Sequence, residues 1–403
     1  MLKRHSLDAV IIGAGVVGAA CAYYAARAGL SVAVVDRGPV AGGTTGAGEG
    51  NLLVSDKEAG PELDLALLST RLWTELAAVL PRDIEYEPKG GLVVAPDERT
   101  VKALRHFAEG QRAAGVDAVE VAADALHDLE PHLAQGLAGG FHYPQDAQVQ
   151  PAQAAARLLA AARAPGGSGA PGAPAAEVFL GEEVTEILLD RGAVRGVRTR
   201  RRELLAPAVV NAAGTWGGHI ARLAGVTLPV LPRRGFVLVT EPLPRVVRHK
   251  VYAADYIADV ASGSAALQSS AVVEGTPSGP VLIGATRERV GFDRTLSTEA
   301  LRRLAAQAAA LFPVLVDVRV MRTYHGFRPY LPDHLPAIGP DPRRPGLLHA
   351  CGHEGAGIGL APATGALIAA ALTGAEPPLP ADPFRPDRFA ADPAATDTPE
   401  EQH

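Results

Sequence analysis

Residues 8–36 read DAVIIGAGVVGAACAYYAARAGLSVAVVD, which predicts a buried strand, a glycine-rich turn, a helix and a second strand. Gly13, Gly15 and Gly18 have the spacing of a dinucleotide-binding turn. In such a turn the first glycine allows the tight bend, the second allows close approach of a pyrophosphate, and the third allows the helix to pack on the strand. Asp36 ends the second strand, where its carboxylate can accept hydrogen bonds from a ribose. The stretch therefore predicts a bound adenine dinucleotide at the helix N-terminus.

Two alternatives accompany this interpretation. The glycines could form the turn of another kind of α/β protein, although the strand, helix and terminal acid all occupy the expected positions. Arg37 could indicate a 2′-phosphate, but the neighbouring Asp36 would repel one, which disfavours NADP. A second glycine-rich stretch at 42–51 (GGTTGAGEGN) is either a ligand-contacting loop with backbone and hydroxyl donors or a flexible surface loop.

Composition limits the classes of protein that remain. The chain has 403 residues, enough for two domains, with 47% hydrophobic and 20% charged residues. The net charge of −6 and the absence of a long basic run disfavour nucleic acid as a partner. Cys21 and Cys351 are too few for an iron–sulfur cluster, and no metal site is predicted. We expect a cytoplasmic protein without a transmembrane segment, because the apolar stretch at 358–373 is short and contains Pro362.

The remaining pattern predicts further helices, then strands of a second, antiparallel sheet. Helices are expected at 62–80, 100–114, 152–162 and 298–312, the last capped by Ser297. Strands are expected at 85–95 (as a pair), 177–180, 184–189, 196–200, 203–210, 233–241, 250–258, 265–274, 281–286 and 347–351. Residues 323–339 are expected to form a loop, 165–174 (PGGSGAPGAP) a flexible excursion, and the chain beyond Pro377 a fraying tail.

Four stretches in the same order as in one known family then identify a resemblance. They are residues 13–36, NAAGTW at 211–216, GFRPYLPDHLPAIG at 326–339 and GHEGAGIGLAPATG at 352–365. With these the chain resembles FAD-dependent oxidoreductases of the D-amino-acid oxidase type, over nearly its whole length. The last stretch looks most like the flavin subunits of D-hydroxyproline dehydrogenases and opine oxidases.

The resemblance implies an α/β fold in which a Rossmann-like FAD-binding domain is interleaved with an α+β substrate domain containing an antiparallel sheet. The FAD-binding domain would comprise residues 1–80, 147–226 and 322–380. The substrate domain would comprise residues 81–146 and 227–321, and residues 381–403 would be a flexible tail. The resemblance also implies a set of cofactor contacts, which are Gly13, Gly15, Val17, Gly18, Asp36, Arg37, Thr44, Thr45, Gly50, Asn51, Val184, Ala213, Gly214, Trp216, Gly352, His353, Glu354, Gly355, Ala356, Gly357 and Ile358.

For the substrate, the resemblance implies that Arg328 pairs with a carboxylate through its planar guanidinium. Taken alone, a single arginine in a loop is a solvated surface charge. Tyr252 and Tyr256 are four residues apart on an expected strand and so share a face, where one could cap the ligand or both could pack in the core. His353 and His325 are weak candidates for acid–base chemistry, with a polar contact to the flavin as the favoured role of His353.

The function implied is oxidation of the CH–N bond of a D-amino acid or secondary amino acid by hydride transfer to flavin N5, with D-hydroxyproline or a D-proline-like substrate favoured. The alternatives are a glycine or sarcosine-type oxidase using oxygen, an opine oxidase flavin subunit, a non-catalytic FAD-binding scaffold, and a plain nicotinamide dehydrogenase. The expected partners are a small amino-acid substrate and either oxygen or redox subunits that carry iron–sulfur centres.

Overall fold

The computed structural model describes residues 7–164 and 175–389. The helices are α1 (Val16–Arg27), α2 (Pro61–Val79), α3 (Glu98–Ala113), α4 (Leu126–Leu129), α5 (Pro151–Arg163), α6 (Gly217–Leu223), α7 (Asp255–Ala261), α8 (Thr298–Leu311) and α9 (Gly357–Thr373). The strands are β1 (Ala9–Ile12), β2 (Val32–Asp36), β3 (Asn51–Leu52), β4 (Gly91–Ala95), β5 (Val119–Ala122), β6 (Gly139–Tyr143), β7 (Ala147–Gln148), β8 (Glu177–Leu180), β9 (Val184–Asp190), β10 (Ala193–Thr199), β11 (Glu203–Leu205), β12 (Ala208–Asn211), β13 (Leu231–Thr240), β14 (Lys250–Ala253), β15 (Gln268–Gly275), β16 (Val281–Arg287), β17 (Val320–Tyr330), β18 (Ala337–Pro340) and β19 (Leu347–Cys351).

The first sheet has the order β18-β19-β12-β1-β2-β8 and is parallel except for β18. Its central strands are continuous apolar runs because helices or other layers cover both faces of the sheet. Since β1, β12 and β19 run in the same direction, the loops that follow them meet at one edge. That edge is where an open α/β sheet binds its ligand.

The second sheet has the order β17-β13-β16-β15-β14-β4-β6-β5. Its pairs are antiparallel apart from β14 with β4. α8 packs on β15 and β16, and its N-terminus is capped as expected, with Ser297 Oγ accepting from the Ala300 N–H at 3.2 Å. The expected fold class, a Rossmann-like domain interleaved with an α+β domain that contains an antiparallel sheet, is confirmed.

Residues 323–339 do not form the expected loop. They supply most of β17 and the start of β18, and β17 pairs with β13 from Leu231↔Tyr330 to Thr240↔Val320. Glycine and proline, here Gly326 and Pro329, are uncommon inside strands, but β17 is the last strand of its sheet, and an edge strand tolerates a proline that cannot donate a hydrogen bond. We keep the interleaved domain boundaries as a proposal, with one change: β17 belongs to the antiparallel sheet, so a boundary at residue 322 cuts a strand.

Other local expectations also need correction. The expected strand at 250–258 ends at Ala253 and is followed by α7, while the expected pair at 85–95 is the single strand β4. The expected strand at 203–210 is split into β11 and β12. The tail is ordered as far as Phe389, because the fully buried Phe384 packs into the core. The excursion at 165–174 and residues 390–403 lie outside the described residues.

α9 is the most apolar helix segment of the described chain. The segment Glu354–Thr373 contains an 18-residue window with a mean hydropathy of 1.6 and is long enough to cross a bilayer, which differs from the expectation of a short stretch. In the structure it packs against α1 and α2. A Cβ at Gly365 would lie 2.7 Å from the Ala20 carbonyl oxygen, so the α1 and α9 backbones are in close contact. This packing is that of a core helix.

Candidate active site

The glycine-rich turn lies at the edge where the loops after β1 and β12 meet. Gly13 has φ +118°, and a Cβ there would lie 2.3 Å from the Ala212 carbonyl oxygen. A Cβ at Gly18 would lie 1.9 Å from the Gly13 carbonyl oxygen. Gly18 therefore holds the turn against α1 and does not itself line the cleft. The Val16 N–H at the start of α1 donates to Thr45 Oγ1 at 3.1 Å, which joins the turn to the second glycine-rich stretch.

One end of the cleft is built around Asp36. Its carboxylate accepts one hydrogen bond from the Ala14 N–H and one from the Gly38 N–H, both at 2.7 Å. A carboxylate has about four lone-pair sites, so this group can still accept from ribose hydroxyls. The Arg37 guanidinium lies 4.0 Å above the Trp216 ring, and the two side chains form one wall of the cleft.

Most of the predicted cofactor contacts lie along this single cleft. Those that line it are Gly13, Gly15, Val17, Asp36, Arg37, Thr44, Thr45, Gly50, Asn51, Val184, Ala213, Gly214, Trp216, His353, Glu354, Gly355, Gly357 and Ile358. Gly18, Gly352 and Ala356 do not line it. The residues that do line it fit an adenine dinucleotide with a flavin. The cleft is lined by the acid Asp36, by the glycine-rich N-terminus of α1 and by residues of the glycine-rich segment at 352–357.

Glu354 connects the glycine-rich segment at 352–357 to the antiparallel sheet. It has a left-handed φ of +47°. Its Oε1 forms an ion pair with Arg233 Nη1 on β13, and its Oε2 lies 3.0 Å from His334 Nδ1. Burial alone would raise the pKa of Glu354, but His334 and Arg233 outweigh it and lower the pKa. Glu354 is therefore a carboxylate at neutral pH and acts as an anchor.

Neither histidine is placed for proton transfer. The His353 Nε2–H donates to Thr364 Oγ1 at 3.0 Å, and the Thr364 hydroxyl donates to the Leu360 carbonyl at 2.9 Å. Burial lowers the pKa of His353 to about 3, so the ring is neutral under physiological conditions. His325 packs between Phe236 and Phe327, with ring centroids 5.6 and 5.7 Å away, and does not line the cleft. His353 is thus a neutral wall residue of the cleft.

Arg328 lies at the other end of the cleft, beside the glycine segment. Its Nη1 donates to the Thr286 carbonyl at 2.8 Å, and no other acceptor for it occurs among the described residues. A Cβ at Gly355 would lie 3.4 Å from its Nε, so Gly355 leaves the guanidinium room against that segment. Burial and the neighbouring Arg287 lower the pKa of Arg328 to about 10, which still leaves it a cation at neutral pH. The remaining N–H groups can therefore receive a carboxylate.

The two tyrosines take different positions from those expected on one strand. Tyr252 is on β14, fully buried, with its hydroxyl 2.6 Å from Ser55 Oγ, and it does not line the cleft. Tyr256 is on α7 and does line it, below the Arg287 guanidinium at 4.6 Å from the ring centroid. The rings still meet, with centroids 4.8 Å apart. Tyr256 is therefore the tyrosine that faces the cleft, and Tyr252 packs behind it in the core.

Because only Tyr256 lines the cleft, the same substitution should affect kinetics at Tyr256 and stability at Tyr252. We expect Tyr256→Phe to raise the KM of the amino-acid substrate about 3- to 10-fold, because it removes one hydrogen-bonding group from the cleft. Tyr252→Phe should change kcat/KM by less than about twofold but lower the free energy of unfolding by about 1 kcal/mol, because Ser55 loses a partner. Steady-state kinetics and denaturant melts check both, and a larger kinetic effect for Tyr252→Phe than for Tyr256→Phe would contradict the assignment.

Two charged residues of the cleft were not singled out from the sequence. Arg287, at the end of β16, has an Nη1 that is buried without a hydrogen-bond partner among the described residues. Glu49, inside the stretch 42–51, has an Oε1 in the same situation. An acidic residue within a glycine-rich stretch was a visible signal for Glu49. Arg287 offered none, because only the pairing of β16 brings it to the cleft.

Comparison with known proteins indicates the same kind of cofactor as the residues of the cleft do. The family model described as "DAO: FAD dependent oxidoreductase" matches residues 8–371. The hydrogen cyanide synthase subunit HcnC of Pseudomonas aeruginosa is 31% identical, with 97% of this chain and 98% of the relative covered. The glycine oxidase of Pseudomonas putida is 30% identical, with 95% and 99% covered.

Solved structures agree as well. The crystal structure of glycine oxidase from Geobacillus kaustophilus superposes with a TM-score of 0.83 at 28% identity, covering 95% of this chain and 99% of that one. The L-proline dehydrogenase structure from P. horikoshii has a TM-score of 0.85 at 23% identity, covering 96% and 98%, which is a likeness of fold.

The chain belongs to the DAO family of FAD-dependent oxidoreductases. It is an FAD-dependent amino-acid oxidoreductase, and FAD is its cofactor. The expectation of the family is confirmed. The finer resemblance to D-hydroxyproline dehydrogenases and opine oxidases is not what these relatives support, since they are glycine oxidases and a hydrogen cyanide synthase subunit.

Proposed function

We propose that this protein oxidises the CH–N bond of glycine or of a small N-alkyl glycine such as sarcosine, and passes the electrons to oxygen. The observation that carries this proposal is Arg328, a half-buried arginine whose guanidinium lies beside Gly355 with donors left for a carboxylate. The similarity to glycine oxidases supports the substrate class. The alternative electron acceptor is a partner subunit. This alternative is supported by the similarity to HcnC, which is a subunit of hydrogen cyanide synthase.

Bound FAD would supply the acceptor for the hydride that leaves the α-carbon. The side chains hold the substrate. Arg328 fixes the carboxylate by two-point hydrogen bonding, and Tyr256 and Arg287 line the space beside it. Gly355 and Gly357 line the cleft without side chains, so this segment would leave room for the flavin ring to approach closely.

A second candidate substrate is a cyclic secondary amino acid such as D-hydroxyproline. An adjoining cavity of about 930 Å³ shares Tyr256, Arg287 and Glu354 with the cleft. Glycine would fill little of this space, whereas a ring could extend into it. This observation favours a larger substrate, and the similarity to glycine oxidases favours a smaller one.

An anaerobic titration of the FAD-loaded protein distinguishes these possibilities. Glycine, sarcosine and cis-4-hydroxy-D-proline are added separately while the flavin absorbance is followed, and air is then admitted. Bleaching by glycine or sarcosine followed by rapid recolouring supports the proposed oxidase. Bleaching by the hydroxyproline alone favours the second candidate, slow recolouring indicates a missing electron-accepting partner, and no bleaching by any of the three overturns the proposal.

A further inference from the structure

The carboxylate of Glu49 occupies space that a glycine on β16, Gly284, leaves open. A Cβ at Gly284 of β16 would lie 2.2 Å from Glu49 Oε1 and 2.3 Å from Oε2, so a side chain at position 284 would exclude the carboxylate. Oε1 is buried and accepts no hydrogen bond from the described residues. A carboxylate without a donor is costly to keep away from water, and Glu49 lines the cleft, so its carboxylate is placed to accept a donor that arrives with a ligand.

The charged and titratable groups around Glu49 come from five elements. They are Lys250 on β14, Glu274 on β15, Arg287 on β16, Arg328 and Tyr324 on β17, and Tyr256 on α7. The cations among them have other contacts: Lys250 is ion-paired with Glu274, Arg328 donates to Thr286, and Arg287 stacks on Tyr256. Burial raises the pKa of Glu49 to about 7 even though Lys250, Arg328 and Arg287 oppose this effect.

The cleft thus presents a guanidinium and a carboxylate to the same ligand. An α-amino acid carries the complementary pair, a carboxylate and an ammonium group on adjacent atoms. Arg328 can take the first, and the carboxylate of Glu49, which lines the same cleft, can take the second. Hydride loss from the α-carbon needs a nitrogen lone pair, so the ammonium must lose a proton before oxidation.

We propose that Glu49 binds the substrate's amino group and serves as its base, a role that rests on the proposed amino-acid oxidation. One N–H bond of the ammonium breaks, an O–H bond forms on the Glu49 carboxylate, and the nitrogen keeps the electron pair. The substrate is therefore an amino acid whose nitrogen carries at least one hydrogen, and binding and deprotonation occur at one side chain. Glu49 joins Arg328 as a residue that selects zwitterions over simple carboxylates.

A pair of non-oxidisable ligands tests this role without turnover. 2-Aminoisobutyrate and pivalate have the same shape and differ in carrying an ammonium or a methyl group, and neither has an α-hydrogen. Calorimetry of the FAD-loaded protein at pH 7, in two buffers of different ionisation enthalpy, measures the protons exchanged on binding. We expect 2-aminoisobutyrate to release and pivalate to take up a proton fraction of up to about one half, because a group with a pKa near 7 is half protonated there.

Glu49→Gln should abolish both proton exchanges and reduce the preference for 2-aminoisobutyrate over pivalate by about tenfold or more. Glu75→Gln, the same change at an exposed site on α2, should leave both the proton exchanges and the ligand preference unchanged.

In the variant Glu49→Gln, flavin reduction by the substrate at pH 7 should be slowed about 100-fold and should recover as the pH rises toward the pKa of the amine itself. An unchanged flavin spectrum shows that the isosteric variant keeps its fold.

The outcomes separate this proposal from the proposed function. Proton exchange that persists in Glu49→Gln, or equal affinity of the wild-type protein for the two ligands, overturns the role of Glu49. Failure of every amino acid to reduce the wild-type flavin overturns the proposed function, while the calorimetric result still decides whether Glu49 receives an ammonium. Absence of binding by both ligands overturns the role of Glu49, whereas the proposed function is still decided by reduction of the wild-type flavin.

Discussion

Arg328→Met is expected to lower kcat/KM for the amino-acid substrate by about 10²- to 10⁴-fold while FAD remains bound. The substitution leaves an unbranched side chain, shorter than that of arginine, and removes the cation. A substrate carboxylate would then enter the cleft with no charge-assisted partner, next to the carboxylate of Glu49. Steady-state kinetics and the flavin spectrum of the purified variant measure the two effects separately.

Arg322→Met provides the matched control for this variant. Arg322 is on the same strand but exposed, with its guanidinium 5.1 Å from the Tyr324 ring centroid. We expect kcat/KM to stay within about twofold, since an exposed surface charge contributes little. If Arg328→Met retained kcat/KM within threefold, the carboxylate would have to bind elsewhere, and Arg287 would become the residue to test.

Gly18→Ala should have the largest effect on the cofactor. The new Cβ would lie 1.9 Å from the Gly13 carbonyl oxygen, so the turn that carries the pyrophosphate site must move. We expect the free energy of unfolding to fall by about 2–4 kcal/mol and the FAD affinity to fall at least about 100-fold. Denaturant melts of the apoprotein and fluorescence titration with FAD measure the two quantities.

Gly110→Ala is the same change at another helix glycine and should act in the opposite direction. The new Cβ on α3 would have Ala59 Cβ as its nearest neighbour at 3.8 Å, which is ordinary contact. Alanine restricts the unfolded chain more than glycine does, so stability should rise by about 0.5–1 kcal/mol with FAD affinity unchanged. Equal behaviour of the two variants would show that close packing at Gly18 is not what the turn requires.

The part of the site that could be predicted from the sequence is contiguous in the chain. Gly13, Gly15 and Asp36 belong to one strand–turn–helix–strand unit whose spacing follows from the geometry of a dinucleotide. Arg328 is recognisable in the sequence only through its family motif, and the sequence predicts a loop there, whereas the structure has β17. Its strand is defined by pairing with β13, about ninety residues earlier in the chain. Local pattern carries no information about such pairing.

The residues that sequence reasoning missed share that dependence on distant contacts. Glu49 becomes a site residue because Gly284 leaves space for it, and Arg287 because β16 ends at the cleft. Tyr252 and Tyr256 illustrate the same limit, since their shared face was inferred from a strand that ends between them. The alternation of strand residues predicts orientation only as far as the strand continues.

The contacts that join the cofactor cleft to β13 and β17 have a thermodynamic consequence. The Thr44 hydroxyl donates to the Phe327 carbonyl at 2.6 Å, next to Arg328, and Glu354 is held by Arg233. An amino acid bound at Arg328 and FAD bound at Thr44 would therefore both contact this stretch of backbone. Linkage is reciprocal, so any factor by which FAD tightens substrate binding is also the factor by which substrate retains FAD. The enzyme should hold its cofactor most firmly when amino acid is plentiful and release it most readily when amino acid is scarce.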